Sequence, residues 1–255
     1  MGKIVAIANQ KGGVGKTTTA VNLCASLTHR GKKVLLIDCD PQGNATTGMG
    51  VDKTAEKSAY SVLLRSVPPL DAIVSTKFGD VIPSNADLAG ANVELVAETE
   101  RETVLKRRLE PLRSIYDFIL IDSPPSLELL TLNVLVASDT VLVPVQAEYY
   151  ALEGLSDLMS TIRLINQRMN PALRLEGLLL TMYDPRTKLS ADVESELRKH
   201  FPGLVYDIKI PRTVRLAEAP SHGKPILGYD RAGKGTRAYL RLATEFLKNQ
   251  EKERA

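Results

Sequence analysis

The sequence predicts an α/β fold, a mainly parallel twisted sheet flanked by helices. Three observations carry that reading. Apolar runs recur without polar alternation, the mark of strands buried on both faces. Segments with helical spacing separate those runs, so βα units follow. Several runs end in an acid or an amide, and in such sheets ligands sit at the carboxyl ends of the strands.

Residues 3–8 form a short β run, followed by a Gly-rich turn and a helix over 16–30. Residues 33–37 are a continuous apolar strand ending at Asp38, and a loop rich in Gly, Asn and Thr covers 41–50. Helical patterning returns over 58–65 and through 85–112. Residues 118–121 read as a buried strand ending at Asp122, and 141–145 and 175–180 repeat the theme. Helices are expected over 127–136 and 152–168. Leu189, Val193 and Leu197 stand at i, i+4 and i+8, so 189–201 reads as an amphipathic helix. A late strand over 205–210 and a last helix over 236–247 complete the chain. With no long linker or repeat, residues 1–255 read as one domain. Asn9, Asp38, Asp122 and the segment 181–184 all fall at strand ends and are expected to converge.

Composition narrows the function. Apolar residues make up 44% of the chain, enough for a sizeable core. There is no Trp and only 5% is aromatic, which argues against base-stacking platforms for single strands. No stretch reads as a signal peptide or as the 18 apolar residues of a membrane span. Cys24 and Cys39 have no metal-ligand spacing and read as buried thiols of a reducing cytosol. The net charge is +3, yet residues 207–241 hold eight basic and three acidic side chains, hence +5. The C-terminal third of the chain, which contains this segment, is a candidate surface for an anionic partner.

The run Lys11-Gly12-Gly13-Val14-Gly15-Lys16-Thr17 lies between a strand and a helix, the context a phosphate-binding P-loop requires. Its glycines let successive backbone amides turn toward phosphate oxygens, and the following helix N-terminus adds partial positive charge. Lys16 reaches the β and γ phosphates, the Thr17 hydroxyl ligates Mg²⁺, and Thr18 continues the cradle. The usual first glycine of the motif falls on Gln10, and an additional lysine, Lys11, stands inside the loop.

That departure resembles the deviant Walker A motif of the ParA/MinD family of ATPases, and the likeness extends over almost the whole chain. The resemblance implies a P-loop NTPase fold, ATP and Mg²⁺ as cofactors, and an ATP-dependent homodimer in which Lys11 reaches the partner's nucleotide. It also implies roles for the other acids. In Asp38-Cys39-Asp40-Pro41-Gln42-Gly43-Asn44, Asp40 would orient the attacking water and Asp38 would sit near the metal. Asp122, followed by Ser123-Pro124-Pro125, resembles the Walker B acid. The family's adenine contacts fall on Thr181-Met182-Tyr183 and on Ile210-Pro211-Arg212-Thr213; a core role for Met182 competes with a base contact.

The segments 40–46 and 210–225 look like the chromosomal ParA, or Soj, branch. The resemblance then implies slow ATP hydrolysis, non-specific binding of double-stranded DNA, a ParB-type centromere-binding partner and a cytoplasmic, nucleoid-associated protein. Arg186 and Arg215 match the family's DNA surface, and Lys199, Lys224, Arg231, Lys234 and Arg237 are additional basic candidates. His222 reads as a packing residue of its turn. The loop begins ten residues from Met1, so the short form of the family is expected, without an N-terminal winged-helix domain, and only Lys3 precedes the loop as a basic residue.

Three other readings compete. A MinD-like membrane ATPase needs an amphipathic C-terminal helix, but the stripe of Leu240, Ala243 and Leu247 is short and a polar tail follows it. A metabolic relative such as nitrogenase iron protein needs cluster-ligating cysteines, which Cys24 and Cys39 do not match. The third is a scaffold that binds ATP without turnover.

Overall fold

The computed structural model describes residues 1–148 and 151–254. Seven strands form one sheet: β1 (Lys3–Ile7), β2 (Val34–Asp38), β3 (Val74–Thr76), β4 (Gly79–Ile82), β5 (Phe118–Asp122), β6 (Thr140–Gln146) and β7 (Arg174–Thr181). Their spatial order is β3-β4-β2-β5-β1-β6-β7, parallel throughout except for the β3–β4 pair. The helices are α1 (Lys16–His29), α2 (Asn44–Gly48), α3 (Ala59–Leu64), α4 (Ala91–Glu94), α5 (Val104–Leu109), α6 (Leu129–Ala137), α7 (Ala151–Arg168), α8 (Lys188–His200), α9 (Val214–Glu218), α10 (Ile226–Tyr229) and α11 (Lys234–Arg254).

The unbroken apolar runs are explained by two cores. Successive side chains of a strand point to opposite faces, and both faces are covered. Ile4, Ala6, Leu35, Ile37, Ile119 and Ile121 pack with residues of α3, α5, α6 and α7. Val5, Ile7, Val34, Leu36 and Leu120 pack against α1 and α11. Register then fixes the site: β1 and β2 flank β5 so that Ile7 and Asp38 each stand beside Asp122. Three strands therefore end at one level.

The fold also corrects several expectations. The segment 41–50 is not all loop, because Thr46 donates its amide and its hydroxyl to the Asp38 carboxylate, each at 2.7 Å, and α2 forms there. The helical patterning through 85–112 resolves into several short helical segments. The chain breaks into short turns around Glu100, whose φ is 53°, and Asn133 of α6 accepts from the Leu105 amide at the start of α5. The hairpin of β3 and β4 goes beyond the sequence reading; β3 has three residues, none fully buried. The late strand over 205–210 reduces to isolated bridges, Leu178 with Val205 and Tyr183 with Pro211. The reason is Glu245 of α11, whose carboxylate accepts the Asp207 and Ile208 amides at 2.7 and 3.0 Å and draws them away from β7. Leu189 is 44% exposed, so only Val193 and Leu197 of the predicted stripe are buried on α8.

The last helix is longer than expected, and its apolar face differs. Tyr239, Leu242, Ala243 and Phe246 are buried, whereas Leu240 and Leu247 are only half-buried. Phe246 meets Phe118 edge to face at 5.2 Å. The polar tail runs out to Ala255, which lies outside the described residues. This apolar face belongs to the core and is not presented to a lipid surface. No helix among the described residues is long and apolar enough to cross a membrane. Cys24 and Cys39 are both free and buried, and burial pushes both thiols up, Cys24 to about 12. Phe246→Ala is expected to cost about 3–5 kcal/mol in urea unfolding, and Leu240→Ala clearly less.

Candidate functional site

The loop after β1 is shaped by its glycines. Gly13 and Gly15 adopt φ of 76° and 91°, the left-handed region that residues with a Cβ avoid. Gly15 precedes α1, and no side chain caps that helix. Its first amides are therefore left for a ligand, and its first turn holds no acid to repel an anion. Two side chains from neighbouring strand ends hold the loop in place. Asn9 donates to the Pro144 carbonyl at 2.8 Å and accepts from the Lys11 amide at 3.0 Å. The Thr181 hydroxyl donates to the Val14 carbonyl at 2.7 Å. Asn9 and Thr181 thus converge on the loop as expected, whereas Tyr183 turns to Glu194 and Asp184 pairs with Arg186.

Lys16 is 7% exposed, and its ammonium donates to the Lys11 carbonyl at 3.0 Å. Burial lowers its pKa, while the carboxylates of Asp122 and Asp40 act in the opposite direction. Among the described residues no carboxylate is in ion-pair contact with it. Asp122 is fully buried, and among the described residues neither of its carboxylate oxygens has a partner at hydrogen-bonding geometry. Burial first, then the neighbouring Asp38, drives its pKa well up; the Thr17 hydroxyl and Lys16 oppose the rise. Asp38 accepts from Asp40 N at 3.2 Å as well as from Thr46, yet burial still raises it to about 6. Asp40 is 9% exposed; one oxygen accepts from Gln42 N at 2.9 Å, and its backbone carbonyl accepts from Ser84 Oγ at 2.7 Å.

A buried ammonium facing a helix N-terminus, beside an orphaned carboxylate, calls for phosphate and a cation together. Among the described residues no three His, Cys, Asp or Glu side chains cluster as a metal site. Thr17, Asp38 and Asp122 suit a hard cation such as Mg²⁺, which draws most of its ligands from water and phosphate. The unpartnered oxygens of Asp122 fit that group.

Beside the loop lies a cavity of about 470 Å³, lined by Gly13, Gly15, Thr18, Thr181, Met182, Ile210, Pro211, Arg212, Thr213 and Tyr239 among others. Met182 has φ of 48°, so the chain turns sharply there, and it lines the cavity. Thr213 also caps α9, accepting from Leu216 N at 3.2 Å.

Lys11 stands apart from the buried cluster. Its ammonium lies 3.1 Å from Glu148, the two side chains being 37% and 46% exposed. Such a pair is worth about 0–1 kcal/mol, so Lys11 is easily released. Glu148 eluded the sequence reading, although it stands two residues past β6, the kind of strand-end position that marked Asp38 and Asp122. Thr46 lies inside the segment 40–46 with no local sign of its role, and nothing local singles out Ser84.

The basic candidates divide. Arg186 and Arg215 continue the two chain segments that line the cavity. Arg186 is 87% exposed and pairs with Asp184 at 2.7 Å; Arg215 pairs with Glu218 at 3.2 Å and lies over the Tyr229 ring. His222 stacks on the same ring at 4.7 Å, the expected packing role. Lys199 faces Glu196 on α8, and Lys224 and Arg231 line clefts beside Phe78, away from the cavity. Lys234 opens α11 and is exposed.

Comparison with known proteins follows the same lines. Residues 2–175 match the family model described as an AAA domain. The chain is 55% identical over 252 residues to the sporulation initiation inhibitor protein Soj of Bacillus subtilis, covering 98% of this chain and all of that protein. It is 48% identical over 258 residues to the chromosome partitioning protein ParA of Caulobacter vibrioides, covering 99% and 97% of the two chains. Among solved structures it is similar to cobyrinic acid a,c-diamide synthase from Mycobacterium smegmatis with bound ADP and magnesium. The TM-score there is 0.87 at 40% identity, over 98% of this chain and 96% of that one. Lys16→Ala is expected to weaken binding of a nucleoside triphosphate on the order of 100-fold or more, measured by titration calorimetry.

Proposed function

The chain belongs to the ParA/Soj family of chromosome-partitioning ATPases, and from that membership we propose how its own residues serve the reaction and its partners. It hydrolyses ATP and uses Mg²⁺. The observation that carries the residue-level reading is the buried Lys16 ammonium, with no carboxylate in ion-pair contact among the described residues, at the uncapped start of α1. Backbone amides of Gly12, Gly13, Val14, Gly15, Lys16, Thr17 and Thr18 cradle the phosphates, and Lys16 neutralises the β and γ oxygens. Thr17, Asp38 and Asp122 would hold the metal. When bound, Mg²⁺ adds positive charge where the transferred phosphoryl group develops negative charge. Asp40 orients the attacking water, a role supported by a carboxylate that Gln42 N fixes through one oxygen. Met182, Pro211 and Thr213 flank the base. The whole chain acts as one ATPase domain.

The protein dimerises and acts on DNA with a partner protein. In the proposed switch, Lys11 leaves Glu148 and contacts the nucleotide of the second subunit, so the closed dimer requires the γ-phosphate. Hydrolysis is slow and removes part of that interface. Arg186 and Arg215 contact DNA phosphates without reading bases, with Lys199, Lys224, Arg231 and Lys234 adding to the field. The partner is a ParB-type protein that binds a centromere, and the work is done on the nucleoid in the cytoplasm. The charge of +5 over residues 207–241 supports a nucleic-acid partner, and the burial of the α11 apolar face in the core weighs against the membrane alternative.

Two measurements test this reading. Asp40→Ala is expected to run at twice the monomer mass in ATP by light scattering, because the dimer forms and cannot hydrolyse its way open; a monomer there contradicts the sandwich. Arg215→Glu is expected to lose DNA binding while keeping ATP affinity, and wild-type binding should fall steeply with salt and ignore DNA sequence. A strong preference for one sequence contradicts it.

A further inference from the structure

The cavity beside the loop has two walls that are far apart in the chain. One is the end of β7, Thr181 and Met182; the other is the segment of Ile210, Pro211 and Thr213. The second wall is not a strand, so no continuous ladder fixes it to the first. Two backbone bonds join them, from Ile210 N to Leu180 O at 2.8 Å and from Tyr183 N to Ile210 O at 3.0 Å.

Behind these walls, Glu194 of α8 gathers donors from both. Its carboxylate accepts from the Tyr183 hydroxyl at 3.1 Å and pairs with Lys209 Nζ at 2.7 Å. Each donor is one residue from a cavity-lining residue, Met182 or Ile210. Lys209 Nζ also lies over the Tyr183 ring, 5.0 Å from its centroid. One turn on, Arg198 donates to Glu194 at 3.0 Å and to Asp207 at 3.1 Å, and reaches the Tyr206 carbonyl at 3.4 Å. The Glu194 side chain is only 16% exposed. Burial alone would push its carboxyl up, but the hydrogen bonds from Lys209, Arg198 and Tyr183 outweigh it and hold the carboxyl below its usual value. It is therefore a charged group, bound to three donors from three places in the chain.

We propose that Glu194 is a positioning residue for the nucleotide base: by tying Tyr183 to Lys209 it sets the separation of the two cavity walls. Its partners are Tyr183, Lys209 and Arg198, not the loop residues or strand-end acids assigned to phosphate and metal, so it acts on the base half of the ligand and leaves the phosphate half alone. The inference rests on the reading of this cavity as the base site. A purely structural ion pair would alter stability and every ligand alike. A wall-spacing residue alters only ligands that carry a base.

The test compares ATP, ADP and inorganic tripolyphosphate, each with Mg²⁺, on the full-length wild type, Glu194→Ala and Lys209→Met, by titration calorimetry. Tyr183→Phe, which removes one hydrogen bond, serves if Glu194→Ala fails to fold. The wild type should prefer ATP to tripolyphosphate. In Glu194→Ala the affinities for ATP and ADP should fall together, on the order of tenfold, while tripolyphosphate binding stays unchanged. Lys209→Met should fall in the same direction, and the double variant should lose less than the sum. An unchanged ratio of ATP to tripolyphosphate affinity in folded Glu194→Ala overturns the inference while the base site stands. A wild type that binds tripolyphosphate as tightly as ATP overturns the base site itself, and the inference with it.

Discussion

The carboxyl edge of the sheet is organised around buried ionisable groups that the protein does not pair off by itself. Lys16 and Asp122 are both out of water, close enough to influence each other's titration, yet among the described residues neither completes an ion pair. An uncompensated buried charge costs several kcal/mol, whereas the exposed Lys11–Glu148 pair contributes at most about 1 kcal/mol. That contrast separates the parts. The buried pair is a fixed demand for phosphate and a cation, and Lys11 is a movable cation whose present partner holds it weakly. Strand register creates the demand, because it sets Asp38 beside Asp122 at the level where β1 ends and the loop begins.

The phosphate end of the site was legible in the sequence because it is written in contiguous residues. Gly13, Gly15, Lys16 and Thr17 act through local backbone conformation, which a spacing of glycines reveals. Asp38 and Asp122 were legible because each ends an apolar run. The base end was less so, since Met182 and Pro211 meet only through long-range contacts. Residues that act by reaching across the fold carried no local sign: Thr46 on Asp38, Ser84 on the Asp40 carbonyl, Glu245 on the amides of Asp207 and Ile208, and Glu194 on Tyr183 and Lys209. The same cause explains the misread strand over 205–210. Its apolar residues fit a ladder, and a carboxylate on α11 decided otherwise.

The two walls of the base cavity also lead to the basic surface. Met182 runs on through Asp184 to Arg186, and Thr213 caps the helix that carries Arg215. In the proposed function, nucleotide and DNA are thus read by the same two chain segments, one on each side of the cavity. The remaining basic candidates sit on other elements, so any contribution they make is to the field and not to this junction. The α11 helix completes the division of labour: its apolar face closes the core against α1, and Lys234, Arg237, Arg241, Lys248 and Lys252 are exposed.

The most direct test of the account is co-sedimentation of the wild-type protein with random-sequence DNA and with anionic lipid vesicles, each in ATP or ADP with Mg²⁺. The account predicts pelleting with DNA in ATP, little in ADP, and none with vesicles in either nucleotide. Pelleting with vesicles, or DNA binding that is indifferent to the nucleotide, would contradict it.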